Sequence, residues 1–331
     1  MFRARSLGLT SALLLPLLAS AFTLGGGGDA RALDKSQKFD LAAPASALAD
    51  TYVATQAEGK LRGLKRIAIT NMCVQFINDK QAWGNASGAT RVYSQSASAG
   101  MPLNLVKMQA VADAWLDQME ADLKAAGYEL LPYEQLTGND LFKGFAAKYD
   151  QGIREGTREG NNNQKGVTGE SIVYVSPKGR PFATDCGTIS PASTGTFVRM
   201  SYPLDAEFLT VAGVVDLGEA KSSGGLLRGA RAAVDYAQHI RAGDSQFQFV
   251  GKMGPGARVW LKQSIVPQRD PFTLGASSTS HGGSYDIASQ RTTLSTSTNQ
   301  QVQFDEALYY DNALKHLVAM HRMFIQKMSA K

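Results

Sequence analysis

The sequence predicts an α/β or α+β fold: a mixed sheet with a βαβ unit, a C-terminal hairpin and a closing C-terminal helix. Three observations predict it. Residues 65–77 are an apolar run with Ile67, Ile69, Val74, Phe76 and Ile77 on both faces, as a strand inside a covered sheet requires. Residues 103–126 place Met108, Val111, Ala112, Trp115, Met119 and Leu123 at three- and four-residue steps, with Lys107, Asp113, Asp117, Glu120 and Lys124 on the wet side. That is an amphipathic helix, and Gly127 suits a left-handed stop. Residues 128–132 return as a short strand, which completes a βαβ crossover expected to be right-handed.

The remaining elements follow in order. Residues 33–64 read as a polar, Ala-rich N-terminal arm with one short helix over 43–56. Residues 65–331 read as a single α/β domain with long loops at 78–102, 150–170 and 268–304, segments rich in Gly, Ser, Thr, Asn and Gln. Between them, 172–175, 196–202 and 208–217 read as strands. Gly224-Gly225 reads as a turn into a helix over 226–240. Phe247, Phe249, Val259 and Leu261 alternate around Met253-Gly254-Pro255-Gly256, a hairpin signal with Lys252 and Arg258 beside the turn. Leu308, Leu314, Leu317, Val318, Phe324 and Ile325 give residues 305–328 the apolar stripe of a closing helix. No internal repeat of fixed period occurs.

Residues 1–32 read as a secretory signal. Met1-Phe2-Arg3-Ala4-Arg5 is a basic start, 7–18 is apolar, and Ala19-Ser20-Ala21 puts small residues at a cleavage position. Cleavage is expected after Ala21 or after Ala32, where Ala30-Arg31-Ala32 repeats the small-x-small pattern. The other reading is an uncleaved anchor, since 7–24 approaches the length of a membrane span, although Thr10, Ser11, Pro16 and Ser20 interrupt it. No cysteine follows either site to carry a lipid. The expectation is a periplasmic or secreted protein of a bacterium, not a lipoprotein.

Composition narrows the partners. The chain carries 34 Lys and Arg against 29 Asp and Glu, a net charge of +5. Arg3, Arg5, Arg31 and Asp29 leave with the leader, and the modest excess that stays does not predict binding to nucleic acid or an anionic membrane surface. The densest basic group, Lys143, Lys148, Arg154 and Arg158, is interleaved with Asp150, Glu155 and Glu159 and reads as a solvated face. Hydrophobic content of 44% supports a packed core rather than disorder. Cys73 and Cys186 are candidates for a disulfide. Pairing would close a loop of about 110 residues and stabilise by about 4–5 kcal/mol in the chain-entropy model; two buried free thiols are the alternative.

Catalytic and cofactor signatures are not found. There is no G-x-S-x-G and no H-E-x-x-H, so no catalytic, metal or cofactor residue is assigned. Four histidines occur: His239, His281, His316 and His321. His316 and His321 lie about 140° apart around a helix and face different sides. His239 reads as the end of a helix, where a positive charge suits the dipole. Gly213 and Gly218 have P-loop separation, but Lys221-Ser222 comes two residues late, so a tight turn and helix entry is the reading. Trp115, Trp260, Tyr309 and Tyr310 read as packing, with sugar stacking as the alternative.

Two passages carry a family likeness. The helix ending Asp122-Leu123-Lys124-Ala125-Ala126-Gly127-Tyr128-Glu129-Leu130-Leu131, after the strand at 66–77, resembles the opening βαβ half of envelope proteins of the curli-secretion-channel type and of the N-terminal domain of the Tol-system propeller protein. Ala257-Arg258-Val259-Trp260-Leu261-Lys262-Gln263-Ser264-Ile265-Val266 resembles the hairpin such domains place after a second helix. Curli-secretion channels are lipoproteins and insert two alternating hairpins per subunit. Here the lipid-bearing Cys is missing, and 181–202 and 279–304 alternate poorly. The resemblance therefore implies a soluble relative acting as adaptor or scaffold, with no catalytic residue to carry over. The function expected is a non-enzymatic secreted or periplasmic protein that binds an envelope protein or surface component, with peripheral membrane contact at most and oligomeric state open. The alternatives are a hydrolase whose site is assembled from dispersed residues and a small-ligand binding protein. An open sheet edge or exposed apolar patch would favour the binder, a deep pocket of convergent titratable groups the enzyme.

Overall fold

The computed structural model describes residues 33–87, 91–147, 152–162, 166–180, 182, 186, 189, 191–223, 230–252, 254, 256–286, 288 and 290–329. The leader at 1–32, with both cleavage positions and the anchor reading, lies outside the described residues, as do Lys148, Gly224, Gly225, Met253 and Pro255.

The N-terminal arm is ordered into α1 (Ala45–Tyr52), β1 (Val53–Gln56) and α2 (Glu58–Arg62). The helix expected over 43–56 stops at Tyr52, because Val53 to Gln56 pair with a strand from far along the chain. Next come β2 (Arg66–Ser87), β3 (Arg91–Gly100), α3 (Leu105–Ala125), β4 (Glu129–Leu130), α4 (Tyr133–Thr137), α5 (Asp140–Ala146), β5 (Ile153–Asn162) and β6 (Gly166–Val175). They are followed by α6 (Pro191–Leu204), β7 (Glu207–Ser223), β8 (Arg231–Ile240), β9 (Gln246–Val250), β10 (Ala257–Leu261), β11 (Phe272–Asp286), β12 (Arg291–Phe304) and α7 (Glu306–Ser329). Mixed α/β is therefore the observed class, with the βαβ unit β2–α3–β4 pairing in parallel, the β9–β10 hairpin and the closing helix.

The two long helices begin and end as their caps dictate. The Asn104 side chain accepts from the Lys107 amide at 3.1 Å, and the Asp305 carboxylate accepts from the Leu308 amide at 3.0 Å. Gly127, at φ +89°, closes α3, with the Tyr128 amide returning to the Leu123 carbonyl and the Gly127 amide to that of Lys124. Both helices lie on one face of the lower sheet, order β1-β10-β9-β7-β2. Trp115, Met119, Leu317, Met320 and Phe324 fill that core with Val74, Val211 and Phe247. Gly213 of β7 lets them approach: a Cβ there would run into Leu317 and Trp115. On the opposite face Phe142, Phe197, Met200 and Phe208 build a second, smaller core under α4, α5 and α6.

Above this layer the sheet divides. The upper half of β2 leaves β7 and pairs with β3, whose partner is β12, edged by β11; on its other side lie β6 and β5. The upper half of β7 pairs with β8 instead. The resulting hairpin lies against the face of the extended sheet. Gly84 makes the contact, since a Cβ there would strike the carbonyl oxygens of Arg231 and Ser223. The amide of Ala232 donates to Gln95 Oε1 at 3.0 Å.

Several sequence expectations are corrected here. Most of the segments read as loops at 78–102, 150–170 and 268–304 are strands. They bury little apolar surface, so no alternation marks them; backbone pairing with neighbours holds them instead. Residues 196–202 belong to helix α6, where Phe197 and Met200 sit one turn apart in the second core. Residues 226–240 were expected as a helix, but 231–240 form β8, whose inner half, Tyr236 to Ile240, is buried. Long-range pairing with β7 overrides the Ala-rich local preference. Likewise Asp216 to Ser223 continue β7 rather than turning into a helix.

Candidate functional site

Where the sheet divides, the chain concentrates its buried charge. Lys80 of β2 and Glu170 of β6 are cross-strand partners. Asp216 stands on β7 at a bulge that lets Gly218 adopt φ +157°, and Arg241 follows β8. The Lys80 ammonium sits 2.8 Å from Asp216 Oδ1 and 3.3 Å from Glu170 Oε1, and it also donates to the Gly218 carbonyl. Arg241 gives its Nε to Asp216 Oδ2 at 2.6 Å and both terminal nitrogens to Glu170, at 3.0 and 2.5 Å. Arg158 extends the network to Asp244 at 3.2 Å and Gln75 at 3.1 Å.

Three cations face three carboxylates there, so the network is balanced. Burial pushes the Asp216 carboxyl up, but Arg241, His239 and Lys80 outweigh it and hold it well below the usual carboxylate range. Glu170 is lowered in the same way, Arg241 overcoming burial with Lys80 assisting. The donors and acceptors are spent on one another, which makes the cluster a clamp on β2, β5, β6, β7 and the turn after β8 rather than an acid–base site. Two of its members, Arg158 and Glu170, belong to the region read as a solvated loop. Arg154 is engaged as well, its guanidinium 5.0 Å from the Tyr174 ring centroid and 5.1 Å from that of Phe182. Lys143 pairs with Asp140 on the surface of α5.

The histidines are dispersed. His321 accepts at Nδ1 from the Trp115 indole N–H, 3.0 Å, and its Nε2 meets Asp122 at 2.8 Å. With Nδ1 accepting, the proton sits on Nε2 and the ring is neutral. Burial pushes its pKa down to about 4 against the pull of Asp122. Both nitrogens are occupied, so this Asp–His pair has no free base to offer a substrate. His316 lies on another side of α7, its ring 5.9 Å from that of Phe39. His239 does not end a helix: it is a buried β8 residue, with Nδ1 2.9 Å from the Ala237 carbonyl. His281 is exposed on β11. Among the described residues no three His, Cys, Asp or Glu side chains gather to hold a metal. Trp115 and Tyr309 are fully buried, as expected of packing residues, and Trp260 is half-buried with Arg258 stacked on it.

Cys73 and Cys186 stand at disulfide distance, Cα atoms 5.5 Å apart, and join β2 to the segment before α6.

Among the described residues, a long strand edge is left without a neighbouring strand. β11 pairs with β12 over 272–286, and among the described residues no strand pairs with its outer side; from Thr273 to Asp286 every residue is exposed. Its sequence has no Lys, Arg or Pro, and one acidic residue, at its end. The opposite edge, β5, carries Arg154, Glu155, Arg158 and Glu159, charges of the kind that keep an edge from pairing with another chain. No family model, curated protein or solved structure matches this chain. Sequence reasoning missed the edge because it treated 268–304 as a loop; the Thr-rich stretch at 292–298 was the available signal.

Proposed function

We propose that this chain is a non-enzymatic envelope protein, periplasmic or secreted, that binds another envelope component by accepting an extended segment along β11. The open, uncharged edge carries this reading. The exposed stretch of β11 from Thr273 to Tyr285 presents a strand edge whose outward amides and carbonyls an added strand can pair with, while side-chain contacts select the partner. The asymmetry of the edges supports it: β5 is guarded by charge and β11 is not. The leader-like start of the sequence and the cysteine pair at disulfide distance support an oxidising compartment. No helix among the described residues is long and apolar enough to cross a membrane.

The test is capture from crosslinked envelopes with the intact chain and with Ser278→Lys/Ser280→Lys, which places two charges on the edge. Recovery of one envelope component by the parent and its loss in the variant supports the proposal. Equal recovery by both, or hydrolytic turnover by the purified chain, contradicts it.

A further inference from the structure

A second surface on the same extension has its own chemistry. Strand alternation puts Lys80, Ala82 and Gly84 of β2 on the face covered by the β7–β8 hairpin, and Trp83 and Asn85 on the open face. Trp83 is the most exposed of the three tryptophans, at 37%. Its ring is not loose: a Cβ on Gly169 of neighbouring β6 would lie 3.2 Å from its six-membered ring. The glycine thus seats the indole on backbone and fixes its orientation. Beside it runs a groove of about 390 Å³ crossing β2, β3 and β12, lined by Trp83, Asn85, Ser96, Ser295 and Ser297; Gln95 and Thr296 border it as well, but the Gln95 side-chain oxygen is engaged by the Ala232 amide of β8. The Ser96 and Ser297 hydroxyls bond each other across the strands at 3.2 Å.

The lining contains no ionisable side chain, in a chain with 63 Lys, Arg, Asp and Glu residues. An ionic polymer finds no counter-charge there. An uncharged ligand with many hydroxyls finds a fixed aromatic face for its C–H surface, and the Asn85 amide and serine hydroxyls that donate and accept. Strands rather than loops carry all of these groups, so little ordering is needed on binding. We propose that this groove binds a neutral glycan, a chain of hexose or N-acetylhexosamine units stacked on Trp83 and hydrogen-bonded across β3 and β12. The site lies on the sheet face and is independent of the β11 edge, so either proposal can fail without the other.

The test is titration of the intact chain with cellohexaose and chitohexaose, followed by tryptophan fluorescence and calorimetry. At least one is expected to bind. Trp83→Ala should weaken binding about tenfold or more, the scale of one lost stacking contact, while Trp83→Phe keeps most of it. Because the ring also covers Gly169, Ser297→Val is the second variant: it leaves that contact in place, suits a strand, and should weaken binding several-fold. Four results would overturn the inference: no binding of either sugar at roughly millimolar concentration; binding indifferent to both variants; a preference for an anionic polysaccharide such as alginate; or a Trp83 response only to phosphatidylcholine vesicles.

Discussion

Asp216 and His321 show how much single residues carry. Asp216→Asn leaves Lys80 and Arg241 buried with one carboxylate fewer, and breaking a buried pair in this way costs about 3–5 kcal/mol. Urea unfolding should show a loss of that size, whereas Asp205→Asn, which unpairs Lys252 on the surface, should leave the urea midpoint nearly unchanged. His321 predicts a pH effect. Burial holds its folded pKa at about 4, below the ordinary histidine value of 6.5, so the unfolded chain takes up the proton first as pH falls. The stabilisation is full above about 6.5 and is lost as pH falls through 4, about 3 kcal/mol in all. His239 and His316 are shifted in the same direction by burial. Replacing His321 with Gln, which can still accept from Trp115 and donate to Asp122, should flatten the stability–pH slope between about 6.5 and 4. Below that window Glu170 and Asp216, both lowered, add a second acid loss as they are protonated.

At the scale of elements, the contact at Gly84 is the joint between the two halves of the extension. Gly84→Ala places a methyl group against two backbone carbonyls that have no rotamer to yield, so the β7–β8 hairpin must lift. The expected outcome is a loss of about 1–3 kcal/mol and faster amide exchange over 231–236, with α3 and α7 unchanged. The cysteine pair ties β2 to residues 113 positions away; reductant should lower stability by about 4–5 kcal/mol in the chain-entropy model. The pattern of legibility has a physical cause. The lower part of β2, α3, β9, β10 and α7 each bury a regular stripe, and the sequence shows it. β3, β5, β11 and β12 bury almost none. Their Ser, Thr and Gly residues read as loop because their strand state is set by the neighbours they pair with. The ion clamp was hidden for a related reason: Lys80 and Asp216 are 136 residues apart in the chain, and only the fold brings them together.

For the whole molecule, a helix-covered α/β layer anchors an extension of long strands that is polar on its open face and unpaired at one edge. Buried charge clamps the junction and a glycine joint holds the hairpin in place, so the extension is presented as a fixed surface rather than a flexible loop. This is what a strand-accepting binder requires. The most direct measurement is photo-crosslinking from single positions along β11 in intact cells of the native host. Adducts to one envelope component are expected from successive β11 positions such as Ser278, Ser280 and Gly282, and not from Thr157 on β5; Thr279→Pro should abolish them. The absence of adducts along β11, or equal adducts from β5, would contradict the account.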